Sequence, residues 1–118
     1  SDNIENHHFW CKGKIINSTL KNINVFNIGK EIKNCYFLDV NFTLNTTFNN
    51  VKNIENTSFY YNISFFNLNN FIDIINEKKS LFKNCTLHIK KDKDREELVK
   101  LLKKLENIDV KYIKIIYD

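Results

Sequence analysis

Apolar and polar residues alternate in short groups along most of the chain, and this pattern predicts mainly β structure. Residues 85–89 place apolar side chains at every second position, as in a strand with one buried face. Residues 110–117 are β-branched and apolar on both faces, which predicts a covered strand. Residues 94–107 between them predict a helix with one apolar face, formed by Leu98, Leu101, Leu102, Leu105 and, just beyond it, Ile108. A strand–helix–strand unit of this length implies parallel neighbouring strands.

A second, shorter helix is predicted near residues 71–82. Phe71, Ile74, Ile75 and Phe82 have the spacing of an apolar helical face. Asparagine is a favoured residue at the beginning of a helix, so we expect this helix to be capped by Asn69 or Asn70.

The middle of the chain contains an internal repeat. A tetrapeptide of an apolar residue, Lys, Asn and then Ile or Cys occurs at Leu20–Ile23, Ile32–Cys35, Val51–Ile54 and Phe82–Cys85. Five-residue units can be laid out around these copies, each with a large apolar residue at its centre. We expect the central residues to point into one interior, and they are Leu20, Val25, Phe37, Phe42 and Phe48.

Asparagine is abundant beside the apparent turns, whereas the chain has 2 Gly and no Pro. Among residues other than glycine, Asn best tolerates a left-handed backbone, so we expect it to turn the corners. Asn side chains at equivalent corners can also form amide-to-amide hydrogen bonds.

The five-residue units of residues 15–60 resemble those of pentapeptide-repeat proteins. The resemblance implies a right-handed parallel β-helix, with the large central residues in its interior. The alternating segment Val40–Leu44 also fits a twisted antiparallel sheet. The predicted fold is therefore a β-rich α+β single domain over residues 1–118. It has a short right-handed β-helix-like region or twisted antiparallel sheet at 15–60, and a strand–helix–strand unit at 85–117.

Composition narrows the class of protein. The chain has 118 residues, about the size of one domain, and its 42% apolar content is too high for a disordered protein. No run of about 20 apolar residues predicts a membrane span. The three cysteines, Cys11, Cys35 and Cys85, lack zinc-ligand spacing, so we expect reduced thiols, no metal site and no cofactor in a cytoplasmic protein.

No catalytic constellation is recognisable, so we predict no catalytic residues, although an enzyme is not excluded. Lys and Arg number 18 against 14 Asp and Glu, a net charge of +4 that is compatible with phosphate or an acidic partner. The alternative function is a small basic nuclease or nucleic-acid-binding protein. Its candidate residues are His7, His8, His88, Lys90 and Lys91.

Surface aromatic residues favour a different function. Phe59, Tyr60 and Tyr61 are consecutive and cannot all face one core in a strand, so at least one reaches the surface. Exposed tyrosine is a common anchor of protein interfaces. We therefore predict a non-enzymatic protein-binding module that does not interact with membranes. Its concrete form is an inhibitor or immunity-type protein of a bacterium or its mobile elements, which neutralises a toxin or effector. The candidate partner-binding residues are Tyr36, Tyr60 and Tyr61.

Overall fold

The computed structural model describes residues 3–5, 8–11, 13–42, 48–62, 67–90, 100, 103–106 and 112–117. Most of these residues belong to short strands. The strands are β1 Asn3–Glu5, β2 His8–Cys11, β3 Ile15–Ile16, β4 Thr19–Lys21, β5 Asn24–Ile28, β6 Glu31–Lys33, β7 Tyr36–Leu38, β8 Asn41–Phe42, β9 Asn53–Glu55, β10 Ser58–Asn62, β11 Phe82–Lys83, β12 Cys85–Lys90 and β13 Ile113–Tyr117. Helix α1, Asn67–Lys78, and a 3-10 turn, Lys79–Leu81, lie between β10 and β11. Residues 103–105 are also helical.

The described strands form three sheets. The six-stranded sheet has the order β1-β4-β7-β10-β12-β13, the four-stranded sheet β11-β9-β6-β3, and the three-stranded sheet β2-β5-β8. From β1 to β9, consecutive strands belong to the six-stranded, the three-stranded and the four-stranded sheet in turn. Every pairing between described strands is parallel.

This topology corrects the predicted fold. The three sheets are open and none closes on itself within the described residues, so a right-handed β-helix-like fold is not supported. The alternative, a twisted antiparallel sheet, is wrong because the described strands pair in parallel. The five-residue pattern could not separate these arrangements, because strand alternation is the same in each of them.

The prediction that asparagine turns the corners is confirmed. Six described residues other than glycine have positive φ, between 50° and 55°: Asn17, Asn22, Asn34, Asp39, Asn56 and Asn84. Each follows a short strand and redirects the chain, and Asn and Asp tolerate this left-handed backbone better than other residues with a Cβ. The backbone N–H of Asn17 donates to Lys33 O, and that of Asn34 donates to Glu55 O, each at 3.0 Å. Each acceptor lies just before the equivalent corner of a neighbouring strand.

Large apolar side chains fill the space between the sheets. All five predicted central residues are buried, as expected: Leu20, Val25, Phe37, Phe42 and Phe48. Because the parallel strands pair in register, similar residues lie side by side, as Leu20 and Phe37 do. The rings of Phe59 and Phe71 are 4.4 Å apart between centroids, so α1 contributes to the same core.

Helix α1 is present as predicted but begins earlier, at Asn67, so neither Asn69 nor Asn70 is its first residue. Phe82, which was predicted on the helical face, instead lies in β11 and is buried there. Helix α1 packs against β8, the edge strand of the three-stranded sheet. The ring of Phe71 on α1 lies 5.5 Å from that of the buried Phe42 on β8, so this contact is part of the apolar core.

The C-terminal unit agrees with the sequence where it is described. Strands β12 and β13 are parallel neighbours, with Cys85 opposite Ile113. Leu105 is buried, whereas Leu98, Leu101, Leu102 and Ile108 lie outside the described residues. Cys35 and Cys85 are free, buried thiols. Within the described part of the chain, neither helical segment is long and apolar enough to cross a membrane.

The left-handed corners predict a specific stability effect. Replacing the exposed Asn34 with Val should lower the free energy of unfolding by about 1–2 kcal/mol, because a β-branched side chain is disfavoured at positive φ. Asn34→Gly should cost less than about 1 kcal/mol, because glycine adopts this backbone freely. Urea denaturation monitored by circular dichroism would measure both changes.

Asn50→Val is the matched control, because Asn50 is exposed and its φ is not positive. We expect this control to change the free energy of unfolding by about 0.5 kcal/mol at most. Equal losses for Asn34→Val and Asn50→Val would contradict the importance of the corner conformation.

Candidate functional site

Side chains on the outer face of the six-stranded sheet form the candidate site. In β7, Phe37 points into the core while Tyr36 and Leu38 point outward. In β10, Phe59 and Tyr61 are buried while Tyr60 lies on the outer face. This alternation follows from the pleat of a strand, which directs successive side chains to opposite faces.

Three rings on this outer face form one continuous stack. The centroids of Tyr36 and Tyr60 are 4.4 Å apart with an angle of 27° between the planes. Tyr60 and His88 are 4.0 Å apart with an angle of 8°. Tyr60 and His88 are direct register partners on β10 and β12, which explains their nearly parallel rings. We call Tyr36, Tyr60 and His88 the ring stack.

An open depression of about 270 Å³ lies beside the ring stack at the carboxyl ends of β7, β10 and β12. Its lining combines apolar, aromatic, acidic and basic groups from three strands and the corner after β7. The lining residues are Leu38, Asp39, Tyr60, Tyr61, Asn62, His88 and Lys90.

Some of the polar groups around this depression have partners within the chain. Asp39 Oδ1 accepts a hydrogen bond from the backbone N–H of Asn62 at 3.4 Å. His88 Nε2 lies 3.0 Å from the hydroxyl of Thr86. Within the described residues, the Tyr60 hydroxyl and the Lys90 ammonium have neither a hydrogen bond nor an ion pair with another side chain. Both groups are therefore available to a ligand.

The structure separates the three predicted tyrosines. Tyr36 is 36% exposed and Tyr60 is half-buried in the stack, so both are accessible. Tyr61 is only 2% exposed, and its hydroxyl donates a 2.6 Å hydrogen bond to Val40 O. Burial, assisted by the negative charge of Asp39, raises the pKa of Tyr61 well above its ordinary value. Tyr61 is therefore a buried residue in this arrangement, although it also contributes to the lining of the depression.

The candidate nuclease residues are brought together only in part. His88 and Lys90 line the same depression. His8 belongs to β2, a strand of the three-stranded sheet and not of the sheet that carries His88. His7 and Lys91 lie outside the described residues.

The described residues contain neither a cluster of metal ligands nor, at Cys35 and Cys85, an activated thiol. No group of three or more His, Cys, Asp or Glu residues among them could hold a metal ion. Burial raises the pKa of the Cys35 and Cys85 thiols, although backbone hydrogen bonds partly oppose this effect. A buried thiol with a raised pKa is a poor nucleophile at neutral pH.

Sequence reasoning missed three lining residues: Leu38, Asp39 and Asn62. Leu38 and Asn62 could have been found from the alternation, because each lies two residues after an outward-facing tyrosine. Asp39 follows its strand as Asn22 does, so its corner position was also visible in the repeat.

Comparisons with known proteins give no relative from which a role could be transferred. No protein-family model matches the chain, and neither a curated protein nor a solved structure shows significant similarity to it.

The two neighbouring tyrosines of β10 should respond differently to removal of the hydroxyl group. Tyr61→Phe should lower the free energy of unfolding by about 1–3 kcal/mol, because the buried Val40 carbonyl loses its donor. Tyr60→Phe, the matched control, should change it by about 0.5 kcal/mol at most. Chemical denaturation at neutral pH would measure both, and a loss at Tyr60 as large as that at Tyr61 would contradict the assignment.

The raised pKa of Tyr61 also predicts a dependence on pH. Its contribution to stability is complete below about pH 10, the ordinary pKa of tyrosine, and is lost as the pH rises above that value. Denaturation between pH 9 and 11 should therefore show a shallower decline for Tyr61→Phe than for the unmodified protein. Parallel declines would show that Tyr61 ionises normally in the folded state.

Proposed function

We propose that this chain is a non-enzymatic protein-binding module whose partner docks on the outer face of the six-stranded sheet. The ring stack is the observation that carries this proposal. Tyr36, Tyr60 and His88 are on the surface, yet each ring is held against another on neighbouring strands. Rings ordered in this way lose little conformational entropy on binding, which favours affinity.

The composition of the face supports a protein partner. Leu38, Tyr60, His88 and Ile116 are aligned in register across β7, β10, β12 and β13, and they form an apolar and aromatic row. The row on one side consists of Tyr36 and the polar residues Ser58, Thr86 and Lys114, and the row on the other includes the polar residues Asn62 and Lys90. An apolar centre with a polar rim is typical of protein–protein interfaces.

The concrete form that we propose is a cytoplasmic inhibitor or immunity-type protein that neutralises a toxin or effector. A chain of 118 residues that presents a preformed surface can occlude the functional site of another protein without a reaction of its own. The three rings of the stack belong to the neighbouring strands β7, β10 and β12, which supports a preformed binding surface.

A second candidate, nucleic-acid binding, is favoured by one specific observation. The depression places His88 and Lys90 beside stacked rings, and single-stranded nucleic acids bind to surfaces that combine aromatic rings with cations. The acidic Asp39 lines the same depression and opposes a phosphate there. We therefore place this candidate second.

The proposed partner can be tested by capture from an extract of the native cells, followed by identification and recombinant production. Tyr60→Ala and Tyr36→Ala should each weaken binding of the recombinant partner by about 30-fold, the effect of a 2 kcal/mol interface anchor. Tyr117→Ala is the matched control, because Tyr117 is 38% exposed but is not part of the ring stack. Titration calorimetry would measure the dissociation constants, and circular dichroism would verify the fold of each variant.

Equal affinity for the partner in all three variants would contradict docking at the ring stack. Loss of affinity with Tyr117→Ala alone would place the interface on another part of the sheet.

The second candidate makes a separate prediction. A fluorescent deca-thymidine should show no detectable binding by anisotropy at about 50 mM salt, a condition that favours phosphate contacts. Binding that falls steeply toward about 200 mM salt would put nucleic-acid binding first. In that case Lys90→Gln should weaken it more than the control Lys52→Gln, which removes an exposed lysine before β9.

A further inference from the structure

The ring stack ends at Tyr36, although the sheet continues beyond it. One face of the Tyr36 ring is covered by Tyr60 on β10. On the other side of β7 lies β4, with Thr19 opposite Tyr36 and Lys21 opposite Leu38. Strand β4 therefore carries no ring, whereas β7, β10 and β12 each carry one on this face.

We call the outer surface of β4 at Thr19, beside the Tyr36 ring, the slot. Tyr36 is 36% exposed, and among the described residues its ring contacts no other ring than that of Tyr60. The Thr19 side chain is too short to cover a phenol ring. Neighbouring strands are about 4.8 Å apart. One strand spacing thus accommodates one planar ring, as the 4.0 Å and 4.4 Å separations within the stack show.

We propose that an aromatic side chain of the protein partner occupies this slot and stacks on Tyr36 as the fourth ring of the series. This inference rests on the proposed protein-binding function and names the group that the face recognises. An added ring in offset or parallel contact contributes beyond the area it buries, as aromatic pairs do generally.

Charge around the slot favours a protein ring over a nucleobase. Lys21 is the described cation nearest the slot on β4, and its register partner on β1 is the acidic Glu5. Thr19, directly opposite Tyr36, is neutral. Lys90 and Lys114 belong to β12 and β13, on the other side of the ring stack from the slot. A phosphate chain attached to a base in the slot would therefore have Lys21 beside it but neither Lys90 nor Lys114.

The test uses two peptides that differ by one side chain: acetyl-Gly-Ser-Trp-Ser-Gly-amide and the same peptide with Leu in place of Trp. Two-dimensional NMR of the isotopically labelled chain would follow each titration into the millimolar range. We expect the Trp peptide to shift the resonances of Thr19 and Tyr36 saturably, and the Leu peptide to leave them unchanged. Equal shifts with both peptides, or none with either, would overturn the inference.

Two variants test the position of the slot. Thr19→Tyr would place a ring directly opposite Tyr36 in register and fill the slot from within the chain. It should abolish the shifts caused by the Trp peptide while leaving the fold intact. Lys83→Tyr is the matched control, because it adds the same ring at an exposed position of β11 in the four-stranded sheet. Trp-peptide binding that survives Thr19→Tyr, or disappears equally with Lys83→Tyr, would overturn the inference.

The recombinant partner separates failure of this inference from failure of the proposed function. Suppose that Tyr60→Ala weakens binding of the partner about 30-fold while Thr19→Tyr leaves its affinity unchanged. This result would support the docking face and refute the slot. If neither variant weakens binding of the partner, the proposed function itself fails. If deca-thymidine shifts the resonances of Thr19 and Tyr36 and the Trp peptide does not, the slot binds a nucleobase and the inference is overturned.

Discussion

The direction and register of the strands depend on the backbone conformation of the left-handed corners. At Asn17, Asn34 and Asn56 the backbone N–H donates to the carbonyl just before the equivalent corner of a neighbouring strand. Each bond therefore fixes both the direction of the chain and the register of the next strand. At the corner before β12, the amide of Asn84 donates to the amide oxygen of Asn56 at 2.6 Å, which links side chains as well as backbones. In-register parallel pairing then places large side chains beside one another in the core and Tyr60 beside His88 outside, while Tyr36 reaches Tyr60 diagonally from the position opposite Ser58.

The corner positions and the buried residues could be predicted from the sequence, but the arrangement of the sheets could not. Repeated Lys-Asn dipeptides and alternating large residues identified the turning positions and the buried face, because both depend on local backbone and side-chain size. Sheet assembly depends on the lengths between equivalent positions, and these lengths vary. Asn24 and Asn41 are 17 residues apart, Cys35 and Thr57 are 22 apart, and Asn56 and Asn84 are 28 apart. A grid of fixed five-residue units cannot follow such insertions, so it could not predict three separate sheets.

The same limit explains what could be predicted of the candidate site. Residue type alone identified four residues of this face, but under two competing hypotheses. Tyr36 and Tyr60 were candidates for protein binding, and His88 and Lys90 for a nuclease or nucleic-acid site. The structure brings them to one face, because β7, β10 and β12 are neighbours despite the helix inserted before β12. Tyr61 was assigned to the surface with Tyr60, although adjacent strand residues face opposite ways. Its alternation with the buried Phe59 assigns it to the core, and this follows once the strand is known.

The ring stack contributes to the stability of the fold and, in the proposed function, also to recognition; the exposed fraction of each ring distinguishes the two contributions. Contacts between Tyr36, Tyr60 and His88 each stabilise the fold by about 0.5–1.5 kcal/mol, as aromatic pairs do. Stability alone would be served better by burying Tyr36, whose exposed fraction of 36% leaves apolar area in water. Enclosure by a partner would remove that area from water without any rearrangement of the rings. On the proposed function, Tyr36 would therefore bury additional apolar area, and it stands at the end of the stack where another ring can be added.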